Sequence, residues 1–134
     1  MDGDEAMIVA GMGFRRSVAA GEIVALVEQA LERSSLTREA LVKLATIDAL
    51  ADLPAFTEAA RRLAVAVTPV EAQALSAAAP RIRTHSARSI AAHGVGSVAE
   101  AAALAAAGPH AELILDRIVS PSATCALARL ESAP

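Results

Sequence analysis

At 134 residues the chain is long enough to bury one core and too short for two domains of ordinary size. A formal net charge of −3, with Lys43 the only lysine, argues against a nucleic-acid surface, and having no Trp or Tyr argues against base stacking. Hydrophobic residues make up 54%, but the excess is mostly alanine, and no apolar run approaches the roughly 18 residues that span a bilayer.

The acidic start Met1-Asp2-Gly3-Asp4-Glu5 lacks the pattern of a secretory leader. This predicts a cytoplasmic protein with a flexible tail over residues 1–5 and a single domain over residues 6–134. Met7-Ile8-Val9-Ala10 predicts a first strand. Gly11-Met12-Gly13-Phe14-Arg15-Arg16-Ser17 then predicts a tight turn, with Ser17 as cap of a helix whose Ile23, Val27 and Leu31 form a stripe beside Val24. Gly11 and Gly13 permit a positive φ or the close approach of a ligand. A helix start beside Arg15 and Arg16 suits an anion, because free N–H groups and the dipole both favour negative charge there.

A short turn over residues 37–40 leads to a second strand over residues 41–47, a β-α-β pattern that favours parallel strands. Asp48, just past that strand, is a candidate acid, base or cap. Residues 54–63 predict a helix with proline at its first position and Phe56, Ala59, Ala60 and Leu63 inward. A third strand is expected over residues 64–67, with Thr68-Pro69 opening a helical turn through Leu75.

Residues 78–85 read as an irregular loop, with Arg81, Arg83 and Arg88 on a solvated face. Gly94-Val95-Gly96-Ser97 opens an alanine-rich helix that Gly108-Pro109 ends. Ser97 and Glu100 have capping-box spacing, and Glu100 is also a candidate acid or base. Apolar runs over residues 112–119 and 123–130, joined by Ser120-Pro121-Ser122, predict a hairpin. The whole is an α/β class chain, a three-layer α/β/α domain with a mixed sheet of about five strands.

His85, His93 and His110 lack metal-ligand spacing, so no metal is expected. Cys125 has no partner for an internal disulfide and reads as a small core residue. The Gly11-x-Gly13 pair has Arg16 where a dinucleotide fingerprint carries its third glycine, and no cofactor is expected. The residues themselves therefore predict a cleft for a small polyanion at two helix starts, built from Gly11, Gly13, Arg15, Arg16, Gly94, Gly96 and Ser97.

Four stretches together resemble one family, the cobalamin biosynthesis proteins of the CobE type and the C-terminal domain of CbiG. They are Gly11-Met12-Gly13-Phe14-Arg15-Arg16, Leu44-Ala45-Thr46-Ile47-Asp48, Gly94 through Leu104, and Ala123-Thr124-Cys125-Ala126-Leu127-Ala128-Arg129. The third is the most specific. The chain departs from the family's usual Lys and Glu after the Thr-Ile-Asp block, where Leu50 and Leu53 stand, and has Arg117 where a lysine is common. The resemblance implies work near the ring-contraction stage of corrinoid synthesis, where full-length CbiG opens a lactone and releases a two-carbon fragment. It implies a corrinoid or precorrin intermediate as partner, gripped by its carboxylates, with Arg117 joining the binding residues. Alternatives are a hydrolase acting on the lactone or the two-carbon fragment, with Asp48 or Glu100, and a non-catalytic module docking onto other pathway enzymes.

Overall fold

The computed structural model describes residues 7–131; the tail expected over residues 1–5 lies outside them. The central strand is β1 (Ile8–Phe14), whose first six residues are buried. It pairs in parallel with β2 (Leu41–Ile47) and antiparallel with β5 (Ala123–Arg129). Beyond these lie β3 (Ala66–Val70), parallel to β2, and β4 (Leu113–Val119), antiparallel to β5, giving the order β3-β2-β1-β5-β4.

One face is covered by α1 (Ala20–Arg33) and α2 (Pro54–Leu63). Ile23, Leu26, Val27, Ala30 and Leu31 of α1, with Phe56, Ala59, Ala60 and Leu63 of α2, pack on Ile8, Ala10, Met12, Leu44, Cys125 and Leu127 of the sheet. The opposite face carries α3 (Ala72–Ala77) and α5 (Val98–Ala107), which meet Val9, Ala45, Val70, Ala126 and Ala128. Alternate residues of each strand thus serve different cores, as the period of two requires. The polar Thr46 is fully buried, and its hydroxyl donates to Met12 O at 2.8 Å.

The predicted mixed sheet of five strands and the three layers are present. Several boundaries differ. Gly11 and Gly13 sit inside β1, and neither has a positive φ. They do not form a turn; the helix starts at Ala20, capped by Ala19 with no side-chain hydrogen bond, instead of at Ser17. The reason lies across the sheet. A methyl group at Gly11 would come within 2.0 Å of Ala99 O and 2.4 Å of Ala103 N, so this glycine lets the backbone of α5 rest directly on β1.

The third strand begins at Ala66, two residues late, because Ala64 takes a left-handed conformation (φ 59°) that closes α2, with Val65 N donating back to Ala60 O. Thr68 and Pro69 belong to this edge strand, and the following helix starts only at Ala72. A further short helix, α4 (Ala87–His93), rises from the segment after the expected loop. Ser97 accepts from Glu100 N at 3.1 Å as the capping box requires, but the Glu100 carboxylate turns elsewhere. Among the described residues no single helix is long and apolar enough to cross a membrane.

Candidate functional site

At the C-terminal end of β1 the chain order reverses. One neighbour, β2, follows through α1 on one face; the other, β5, follows β4 in a hairpin, and β4 is reached through α5 on the opposite face. Such a switch point opens a crevice above the strand ends. Here it holds a cleft of about 620 Å³. Its floor is Gly13, Phe14 and Val98; one wall is α4, and the other is the end of β4 with the hairpin loop Ser120-Pro121-Ser122.

Gly13 leaves space for this floor, since a methyl there would lie 2.8 Å from Thr124 Oγ1 and 3.4 Å from Val98 Cβ. Phe14 presents one face of its ring to the layer below, stacked on Phe56 with centroids 5.2 Å apart. Val98 brings the first turn of α5 to the cleft, and with it the positive end of that helix dipole.

Three arginines line the cleft from three elements: Arg15 just after β1, Arg88 in the first turn of α4, and Arg117 in β4. Among the described residues none of them pairs with a carboxylate. Among the described residues the lining contains no Asp or Glu, while Ser86, Ser89, Ser120, Ser122, Thr124 and His93 add hydroxyl and imidazole groups. In a chain of net charge −3 this is a local concentration of positive charge.

The walls are fastened. Arg15 N donates to Ser122 O at 3.0 Å, and Arg15 O accepts from Val18 N at 3.0 Å. Glu22, in the first turn of α1, accepts from Ser120 Oγ and, at 2.7 Å, from Ser122 N. Those bonds hold the Glu22 carboxyl below the usual range, the Ser120 hydroxyl contributing most.

Glu100 lies beneath the cleft, fully buried. One oxygen accepts from Arg83 N (2.7 Å) and Thr84 N (2.8 Å), the other from Thr84 Oγ1 (2.6 Å) and Arg117 N (2.9 Å). Burial alone would raise its pKa; the four donors outweigh it and the net direction is down. Every lone pair is engaged, so the group stays ionised and has no free position for a substrate proton.

The other expected residues divide clearly. Gly13, Arg15 and Arg117 line the cleft; Arg16 is exposed nearby in sequence but outside the lining. Gly11 is spent on helix packing. Gly94 takes φ +79° to end α4, and Gly96 allows the 84–85 backbone to pass, a methyl there meeting His85 Cα at 2.7 Å. Ser97 is spent as a cap. Asp48 is exposed at the end of β2, outside the lining. Cys125 is a buried core thiol, pushed up to about 12 by burial.

Of the arginines expected on a solvated face, Arg81 instead donates to Gly108 O and Ala111 O (3.1 and 2.9 Å) at the end of α5, while Arg83 is exposed as expected and pairs there with Asp116 at 2.8 Å. Arg88 joins the cleft. Its place was signalled by Ser86, which accepts from Ser89 N as an N-cap, and by Gly94 as the C-cap, a spacing that marks a short helix. The cleft roles of Phe14, His93 and the hairpin hydroxyls had no local signal, because the hairpin meets β1 only through tertiary pairing.

Residues 8–128 match the family described as cobalamin synthesis G C-terminus. Protein CobE of a Sinorhizobium species is 41% identical over 121 residues, which cover 90% of this chain and 79% of that protein. The crystal structure of CobE, a protein from the cobalamin (vitamin B12) biosynthetic pathway, superposes with a TM-score of 0.88 at 33% identity, over 96% of this chain and 94% of that one. Cobalamin biosynthesis protein ChiG from Agrobacterium tumefaciens str. C58 gives 0.74 at 36% identity, over 94% and 100%. A cobalamin biosynthesis protein G homolog from Sulfolobus solfataricus gives 0.75 at 28% identity; 94% of this chain is matched, but only 37% of that longer one. With its fold, its resembling motifs and these relatives in agreement, the chain belongs to the CobE/CbiG C-terminal family of cobalamin biosynthesis proteins.

Proposed function

We propose that the cleft binds an anionic corrinoid or precorrin-type intermediate around the ring-contraction stage. The observation that carries this reading is the meeting of Arg15, Arg88 and Arg117, from three separate elements, in a cleft with no Asp or Glu in its lining among the described residues. Corrinoid precursors combine an apolar macrocycle with a rim of carboxylates. Guanidinium forks and the first turn of α5 suit the rim, while Phe14, Val98 and the exposed Val119 offer apolar surface to the ring. The volume falls within the usual range of roughly 300 to 1,000 Å³ for ligand sites, and its open mouth leaves room for a ring that protrudes.

Holding a ligand, rather than turning it over, fits the chemistry present. Of the two acid–base candidates, Glu100 is saturated by donors and Asp48 lies outside the lining. The hydrolase reading would have to use His93, the remaining acid–base group of the lining, and docking onto other pathway enzymes has no observation in its favour.

A visible-absorption titration with hydrogenobyrinic acid, using a nicotinamide nucleotide as control, tests the reading. Saturable change with the macrocycle alone is expected. Replacing Arg15 by Ala should weaken binding about tenfold, the effect of losing one charge-assisted contact. An unchanged affinity removes Arg15 from the site, and no spectral change with the wild type overturns the reading.

A further inference from the structure

The geometry points to Glu100 as the positioning residue of the cleft, setting Arg117 and the segment that leads to α4 while leaving Arg15 independent. This rests on the cleft being the ligand site. Leu115 pairs with Leu127 and Ile118 with Cys125, so Asp116 and Arg117 together oppose Ala126 alone. Such a bulge re-aims a side chain and leaves a backbone group without its ladder partner. A buried N–H without a partner is costly, and Arg117 N finds its acceptor in Glu100, 2.9 Å away.

The same carboxylate takes both N–H groups and the hydroxyl of the 83–84 segment. Two residues later Ser86 N donates to Gly96 O at 2.9 Å, and α4 begins, carrying Arg88. One buried anion on the buried helix α5 therefore fastens two of the three arginine-bearing elements. The third, Arg15, is fastened by different bonds, those of Ser122 and Glu22 to the hairpin loop. The cleft thus contains its own control.

Glu100→Gln keeps size and shape but turns an acceptor oxygen into a donor facing donors. The decisive experiment is a pair of double-mutant cycles on hydrogenobyrinic acid affinity, combining E100Q with R117A and, separately, with R15A. E100Q alone should weaken binding about tenfold; the loss should shrink to about threefold or less in the R117A background and stay near tenfold beside R15A. An equal loss in both backgrounds would make Glu100 merely structural and overturn the proposal. Where E100Q folds poorly, Thr84→Val, which removes one donor from the cluster, should show the same asymmetry at about threefold.

A ligand-free readout separates this inference from the one beneath it. Amide exchange at Arg117 N and through residues 87–93 should quicken in E100Q, or in T84V, while exchange at Arg15 N stays as in the wild type. Unchanged exchange at Arg117 overturns the positioning role. Quickened exchange in a protein whose wild type ignores the macrocycle would leave the positioning role intact and discard the ligand.

Discussion

Two alanine-rich helices follow one another in this chain, separated by only Gly94 to Ser97, and they are opposites. Eight of the ten residues of α5 are buried, whereas α4 buries none of its seven. Each is capped by a serine whose hydroxyl accepts the N–H three residues on. Composition and capping therefore do not decide which helix belongs to the core. What decides is the partner: α5 lies on a strand with glycine at Gly11, where small side chains let two backbones touch, while α4 stands at the mouth of a cleft with Ile90 half exposed. Alanine on α5 reflects close packing, and on α4 it reflects the absence of anything to pack against. The buried helix supplies the floor of the site and the exposed one supplies a wall.

The sharpest way to break the contrast is at the α5 contact. Gly11→Ala places a methyl within 2.8 Å of Ala103 Cβ and closer still to the backbone of α5. None of these neighbours is a flexible side-chain end, so the helix must shift as a body. A loss of about 4 kcal/mol or more, or failure to fold, is expected. The urea midpoint measures it, and a G11A protein within about 1 kcal/mol of the wild type would show that α5 is not tightly seated.

The next effect in size belongs to Glu100. Removing its carboxylate in E100A leaves four donors, three of them backbone groups, to find water or go without. The expected cost is about 3 kcal/mol. Because the folded pKa is depressed below the ordinary 4.5, the group contributes fully above that value, and the contribution is lost as pH falls through the lower folded value. Wild-type stability should consequently fall more steeply than that of E100A on acidification below about pH 4.5, a difference that urea titrations across pH 3 to 6 would show. Parallel acid limbs would mean that Glu100 is solvated and that its clamp is not formed.

What was legible in the sequence follows the same division between local and distant causes. Pro54–Leu63, with its terminal proline and its four inward residues, appears as expected, and so do the hairpin around Ser120-Pro121-Ser122 and the Ser97 start of α5. Each of these is set by residues within a turn or two. Gly11 was misread because its reason, the backbone of Ala99 and Ala103, lies far downstream, and a glycine that admits a helix looks identical in sequence to one that admits a ligand. Glu100 shows the same ambiguity in smaller form. Its spacing from Ser97 fits a capping box, yet the bulge at Arg117 and the 83–84 segment compete for the carboxylate and win it with four donors. Of the candidate binding residues, Arg15 and Arg117 reach the cleft, whereas Gly94, Gly96 and Ser97 shape the backbone around it.

The smallest predicted effects sharpen the comparison most directly, because they apply one chemical change to both helices. Ser97→Ala and Ser86→Ala each delete an N-cap hydroxyl, in bonds of 3.1 and 3.3 Å. On α5 the freed N–H belongs to buried Glu100 and the helix cannot unwind without opening the core, so the full cost of about 1 kcal/mol should appear in global unfolding. On α4 the first turn buries nothing, and its opening is local. The global midpoint should then move by less than about 0.5 kcal/mol, while amide exchange across residues 87–93 becomes faster. Equal shifts of the global midpoint for the two variants would mean that α4 folds and unfolds with the core, and that the wall of the cleft is as rigid as its floor.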